Sequence, residues 1–139
     1  MAVITKSIKL RTRGETDLVD ITNEVGQGVR ESGLSSGTVT VFIPGSTAGV
    51  TTIEYEGGAI QDFREAIERI APRNIHYHHD ARWGDGNGYS HVRAALQGAS
   101  LTVPFSSSEL ILGTWQQIIV VDFDNRPRSR EVILQIMGE

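Results

Sequence analysis

A chain of 139 residues and 15.2 kDa is the size of one ordinary domain, which argues against a separate cofactor-binding domain. With 39% apolar and 22% charged residues and a mean hydropathy of -0.17, it has the composition of a folded globular protein rather than a disordered or fibrous one. The 17 acidic against 13 basic side chains give a net charge of -4, which disfavours nucleic acid as a partner, and the lack of cysteine removes disulfide frameworks, thiolate zinc sites and cysteine nucleophiles.

The opening segment MAVITKSIKLRTRG alternates apolar and polar residues and has no signal-peptide core. No apolar run approaches the roughly 18 residues of a membrane span. The expectation is a cytoplasmic protein with no membrane partner.

From Val3 to Leu10, Ile4, Ile8 and Leu10 fall on one side of a strand with a single buried face. Asp17 to Asp20 read as a short second strand. Thr22 then stands where it can cap a helix carrying Val25 and Val29 and ending near Gly33. Thr38 to Ile43 and Val50 to Tyr55 are β-branched and aromatic segments, the first stopped by Pro44 and Gly45. Ile60, Phe63, Ile67 and Ile70 recur at helical spacing before Pro72 and predict a helix. Asn74 to Ser90 has no apolar period and reads as a long structured loop, followed by a short helix over His91 to Leu96. Ser100 to Phe105, Glu109 to Leu112, Gln117 to Asp122 and Arg128 to Met137 complete the strands. Seven or eight short strands with inserted helices, and no regular strand–helix alternation, predict a single α+β domain over residues 1–139 with mainly antiparallel sheet.

All four histidines, His76, His78, His79 and His91, lie within sixteen positions of the chain. Such clustering suits a metal or an acid–base site, since imidazole ligates metals and titrates near neutrality; a solvated polar loop is the alternative. Neither HExxH nor HxxxH is present. Asp85 and Asn87 in GDGNG resemble the start of a calcium loop, but Tyr89 and Leu96 stand where ligands are required, so an EF-hand is rejected. The glycines there either let a backbone approach an anion or simply form turns.

Pro44 to Gly49 (PGSTAG) joins two predicted strands, and its backbone N–H groups are able to cup a phosphate, although a plain hairpin connection accounts for it equally well. Arg126, Arg128 and Arg130 recur every second residue, so an extended chain aims them at one face, either toward an oxyanion or as the charged guard of an edge strand. Glu54 is either an outward carboxylate or a buried acid.

Taken together, GSTAGVTTIEYE, YHHDARWGDGNGYSHVRAALQGASLTVPF and LGTWQQIIVVDFDNRPRSR resemble the YjbQ-like family, also called secondary thiamine-phosphate synthases. The resemblance runs from the first strand to the end of the chain, with LGTWQ and the Ser90–His91 pair its most specific parts. It implies a β-sandwich of seven to eight strands with inserted helices, assembled through its sheets into a homotrimer. It further implies a transferase that joins a pyrimidine diphosphate to a thiazole phosphate with help from a divalent metal, Mg or Zn. A phosphometabolite-binding trimer without catalysis and a metal-dependent hydrolase are the alternatives.

Carried over by position, the resemblance makes His79, His91 and Glu54 catalytic and His79 and His91 metal ligands. Thr47, Arg82, Asn87, Arg93, Gln116 and Arg128 become contacts to a small phosphorylated metabolite, and Trp115 is either a platform for a heteroaromatic ring or a buried structural residue. Many members carry His-Thr-Ser-Ala where this chain has Gly45, Ser46, Thr47 and Ala48, so one family histidine is missing. A metal here would then need water, a carboxylate such as Asp80, or the substrate phosphate beside two imidazoles.

Overall fold

Eight strands, all paired antiparallel, form two sheets in the computed structural model, which describes Met1 to Glu139. In chain order the elements are β1 (Ala2–Thr12), β2 (Asp17–Asp20), α1 (Thr22–Glu31), β3 (Gly37–Phe42), β4 (Ala48–Ile53), α2 (Gly57–Ile70), α3 (His78–Trp83), α4 (Gly88–Gln97), β5 (Ser100–Ser106), β6 (Glu109–Leu110), β7 (Gln117–Asp122) and β8 (Arg128–Gly138). The larger sheet has the order β1-β8-β3-β5-β6 and the smaller β2-β7-β4. The α+β, mainly antiparallel architecture expected from the sequence is the one observed.

The alternation in β1 does what a one-sided strand requires. Ile4, Ile8 and Leu10 pack on the main core while Val3, Thr5, Ser7 and Lys9 face out. In the middle of the smaller sheet, β7 (QIIVVD) is apolar on both faces because both are covered. Ile118 and Val120 meet Val39, Val41, Leu134 and Ile136 of the larger sheet, together with Val25 and Val29 of α1. Ile119, Val121 and Phe123 face the opposite way, onto Ile67 of α2 and Ala94 of α4. The core is thus two layers sharing β7, and Asp122 continues the row that points between the sheets.

Three local expectations are corrected. Thr22 does not cap α1: the N-cap is Ile21, and the Thr22 hydroxyl donates to Asp20 and accepts from the Ile118 N–H, tying the helix start to β7. Asn74 to Ser90 is not one loop. It contains α3, a six-residue helix with no buried residue and hence no apolar period to read, and the first turn of α4, which begins at Gly88 rather than His91. Gly88 fits there because a Cβ would stand 2.6 Å from the Tyr77 Cβ. Ile70, although in helical register, is 64% exposed. No helix is long and apolar enough to cross a membrane.

Candidate functional site

The end of the sandwich where β7 leaves the sheet gathers an unusual density of buried charge. Asp122 is fully buried and accepts from Arg130 through both Nε, at 2.8 Å, and Nη2, at 3.0 Å, and from the Thr12 hydroxyl. Two residues on, buried Asp124 accepts from Arg128 Nη1 at 2.6 Å, Asn87 Nδ2 at 3.2 Å, the Asn125 N–H at 2.8 Å and the Thr47 hydroxyl at 3.1 Å. Burial opposes ionisation of Asp124, but these hydrogen bonds and the Arg128 charge outweigh it and hold the carboxyl below its ordinary range. The Thr47 hydroxyl accepts from Arg130 Nη2 at 2.7 Å while donating to Asp124, so it joins the two ion pairs. Register explains the gathering: on β8, Arg128 and Arg130 stand opposite Thr12 and Leu10 of β1, on the inward side.

Against this cluster lies a pair of imidazoles. His79 on α3 and His91 on α4 have ring centroids 4.3 Å apart at 38°, and His79 Nδ1 lies 3.6 Å from Asp80 Oδ1 without a hydrogen-bond partner. Asp80 Oδ1 in turn accepts the Gly88 N–H at 2.8 Å, which fixes α3 to the start of α4. Burial and the neighbouring His79 lower the pKa of His91 against the opposing pull of Asp124, Asp85 and Asp80, so His91 is a neutral proton acceptor at pH 7. A cavity of about 340 Å³ opens beside it, bounded by Gly45, Ser46 and Ala48 on one side and by Ala94, Ala95 and Gly98 on the other.

The turn facing that cavity has donors to spare. The backbone N–H groups of Gly45, Ser46 and Thr47 make no hydrogen bond within the chain. Arg130 Nη1 is likewise without a partner among the hydrogen bonds that occupy Nε and Nη2, and it lies 3.1 Å from the point where a Cβ on Gly45 would stand.

Of the residues singled out from the sequence, Thr47, Asn87, Arg128, His79 and His91 are brought together here. Glu54 and Gln116 are not. They follow and precede the Ile53–Gln117 pair, at the end of β4 and β7 opposite to the Ala48–Asp122 pair, about 17 Å away by strand rise. Glu54 is outward and exposed, and Gln116 bonds Thr52 and the Gly113 N–H. Trp115 is 72% exposed, so it is not a buried structural residue. Arg82 is exposed on α3 beside the Trp83 ring.

Arg93 points away from the cavity. Its guanidinium is buried under α2, donating to Ala71 O and the Thr16 hydroxyl and lying 3.2 Å from Glu68. The expectation of a phosphate contact there is corrected: two positions after His91 on a helix, its side chain takes a different face. Asp122 and Asp124 were not singled out from the sequence. Their signal was DxD closely followed by RxR in DFDNRPRSR, which brings matching charges to the two strands flanking one turn.

A divalent metal needs at least three donors aimed at one point. No group of three or more His, Asp or Glu side chains converges on one point. The two rings lie tilted over one another, so the imidazoles present a stacked pair rather than a closed ligand set, and the residues of this chain do not by themselves fit a metal centre.

A family model described as UPF0047 protein YjbQ-like matches residues 6–139. A UPF0047 protein of Methanothermobacter thermautotrophicus is 35% identical over all of this chain and 95% of its own length, and YugU of Bacillus subtilis is 33% identical over 96% of this chain and 98% of its own. A crystal structure of a protein of unknown function from Sulfolobus solfataricus has a TM-score of 0.94 at 31% identity, covering 99% of both chains. A hypothetical protein from Aeropyrum pernix superposes with a TM-score of 0.90 at 29% identity, covering 98% of this chain and 99% of its own. These relatives carry the family designation or are described as of unknown function, and nothing in them indicates thiamine-phosphate synthesis. The activity implied by the resemblance is corrected accordingly. The chain belongs to the UPF0047, YjbQ-like family.

Proposed function

We propose that the chain binds the phosphate group of a small metabolite in the cavity between the PGST turn and α4. The observation that carries this reading is the set of three consecutive backbone N–H groups, at Gly45, Ser46 and Thr47, left without acceptors beside the unengaged Nη1 of Arg130. Gly45 and Ser46 are exposed, so their amides are hydrated and free to exchange water for a ligand, and successive amides with a guanidinium beside them suit an oxyanion. The charges of Asp122 and Asp124 are balanced by Arg130 and Arg128, so the buried cluster carries no net negative charge toward the ligand. The neutral His91 on the cavity wall offers the bound molecule a proton acceptor.

The assembly we infer is a homotrimer built through the larger sheet. Its support is the outer face of β1, β8, β3 and β5, where Val3, Thr5, Thr40, Phe42, Thr102 and Met137 belong to three successive cross-strand rows that carry no charged side chain. The binding reading is tested by following amide resonances during titration with inorganic phosphate and a phosphate monoester. Saturable shifts of Gly45, Ser46 and Thr47 are expected; shifts confined to other residues overturn it.

A further inference from the structure

We infer that the oxyanion is held in this chain by the free arm of Arg130 reached past Gly45, with no divalent metal between protein and ligand. The inference rests on the phosphate-binding reading and adds to it the means of recognition and the residue that controls access.

The Arg130 guanidinium is divided between two tasks. Nε and Nη2 are spent on Asp122 and Thr47, which fixes the plane of the group, while Nη1 remains unbonded at the turn. The side chain is 6% exposed, so the group is held in place by its surroundings rather than swinging in water. A planar guanidinium anchored on one edge offers its remaining N–H groups in a fixed direction, as recognition of a phosphate or carboxylate oxygen requires.

Gly45 is what keeps that arm open. Its φ is +118°, a backbone state that side-chain-bearing residues rarely adopt. A Cβ there would also stand 3.1 Å from Nη1, capping the one unengaged nitrogen. The same residue lines the cavity beside His91, of which Arg130 is not itself a wall, so Gly45 stands between the guanidinium and that space. A metal-bridged alternative needs a closed set of donors, and His79, His91 and the neighbouring Asp80 do not converge on one point.

The test is a titration of the full-length protein with inorganic phosphate, read from the Gly45, Ser46 and Thr47 amides. It is done after exhaustive chelation and again with added Mg²⁺ or Zn²⁺, for wild type, Gly45→Ala and Arg130→Lys. Affinity is expected to be the same with and without metal and to fall by about tenfold or more in both variants. Arg130→Lys retains a charge for Asp122 but loses the fork. Should it fail to fold, Gly45→Ala, whose melting is measured alongside, carries the result. Binding that appears only with added metal, or that survives unchanged in Gly45→Ala, overturns the inference while leaving the phosphate reading intact. No binding in any condition overturns both.

Discussion

Arg130 clasps Asp122 with two parallel hydrogen bonds, from Nε at 2.8 Å and from Nη2 at 3.0 Å, between side chains that are 6% and 0% exposed. Asp122 has no water to fall back on, and Arg130 reaches none through the two nitrogens that hold Asp122. Removing one partner strands the other, which costs far more than the pair contributes relative to an apolar replacement. Asp122→Asn is therefore expected to lower the unfolding free energy by about 3–5 kcal/mol, measured by urea denaturation at pH 7. A loss below about 1 kcal/mol, the size of an exposed pair, would mean that the pair is solvated.

Arg93 provides the contrast. It is 3% exposed and bonds Ala71 O and Thr16 on the α2 side of the smaller sheet, away from the turn at Gly45. Arg93→Met is expected to destabilise the fold by about 2–3 kcal/mol, chiefly because the buried acceptors Ala71 O and Thr16 Oγ1 lose their donor, while half-exposed Glu68 regains water. Phosphate affinity of the folded fraction should be unchanged. A selective loss of binding at unchanged stability would return Arg93 to the ligand.

The pH dependence follows from His91. Its pKa in the folded protein lies below the ordinary 6.5 because burial and His79 disfavour its charged form. The unfolded chain therefore takes up the proton first, so the contribution of this group to stability is complete above about pH 6.5 and is lost as pH falls through the folded pKa. Asp124, held below 3.8, remains ionised throughout that range and adds its own loss only at more acid pH. The urea midpoint should fall between pH 7.5 and 5.5 in wild type, with a shallower fall in His91→Gln. Equal slopes would show that His91 is not buried as described.

Tyr89 reports on another face of the first turn of α4. Burial and the Glu15 carboxylate, which accepts its hydroxyl proton at 2.9 Å, push the phenol up to about 12. Phenolate absorbance should show a component titrating near that value, and Tyr89→Phe should remove it.

The proposed homotrimer predicts an effect of charge on the outer sheet face. Thr102 faces Thr40 across β3 and β5 on the uncharged outer sheet face, their hydroxyls 3.3 Å apart. Thr102→Glu places an unpaired charge there and should weaken the proposed trimer by about tenfold or more, seen as a lower mass in sedimentation. An unchanged trimer would locate the interface elsewhere.

The strands were legible because their information is local. The period of two in β1, the doubly apolar run of β7 and the β-branched content of β3 each mark a strand within a few residues, and the sheet only had to satisfy them. The helical interruptions were less legible. α3 buries nothing, so solvent leaves no stripe in its sequence, and the first turn of α4 holds a glycine selected by Tyr77 rather than by helical propensity.

What the chain fixed by itself was therefore the set of elements, the alternation that decides which side chains face inward, and the histidine-bearing segment with its neighbouring glycine turn. What only the tertiary structure decided was which of those polar groups share a site. Thr12 finds Asp122 across 110 positions and Thr47 finds Arg130 across 83. Both pairings arise from strand register and from the angle at which two sheets close, and neither quantity is encoded near the residues concerned. Glu54 and Gln116 show the same physics in reverse: close in sequence to β4 and β7, they were carried by strand direction to the far end of the sheet.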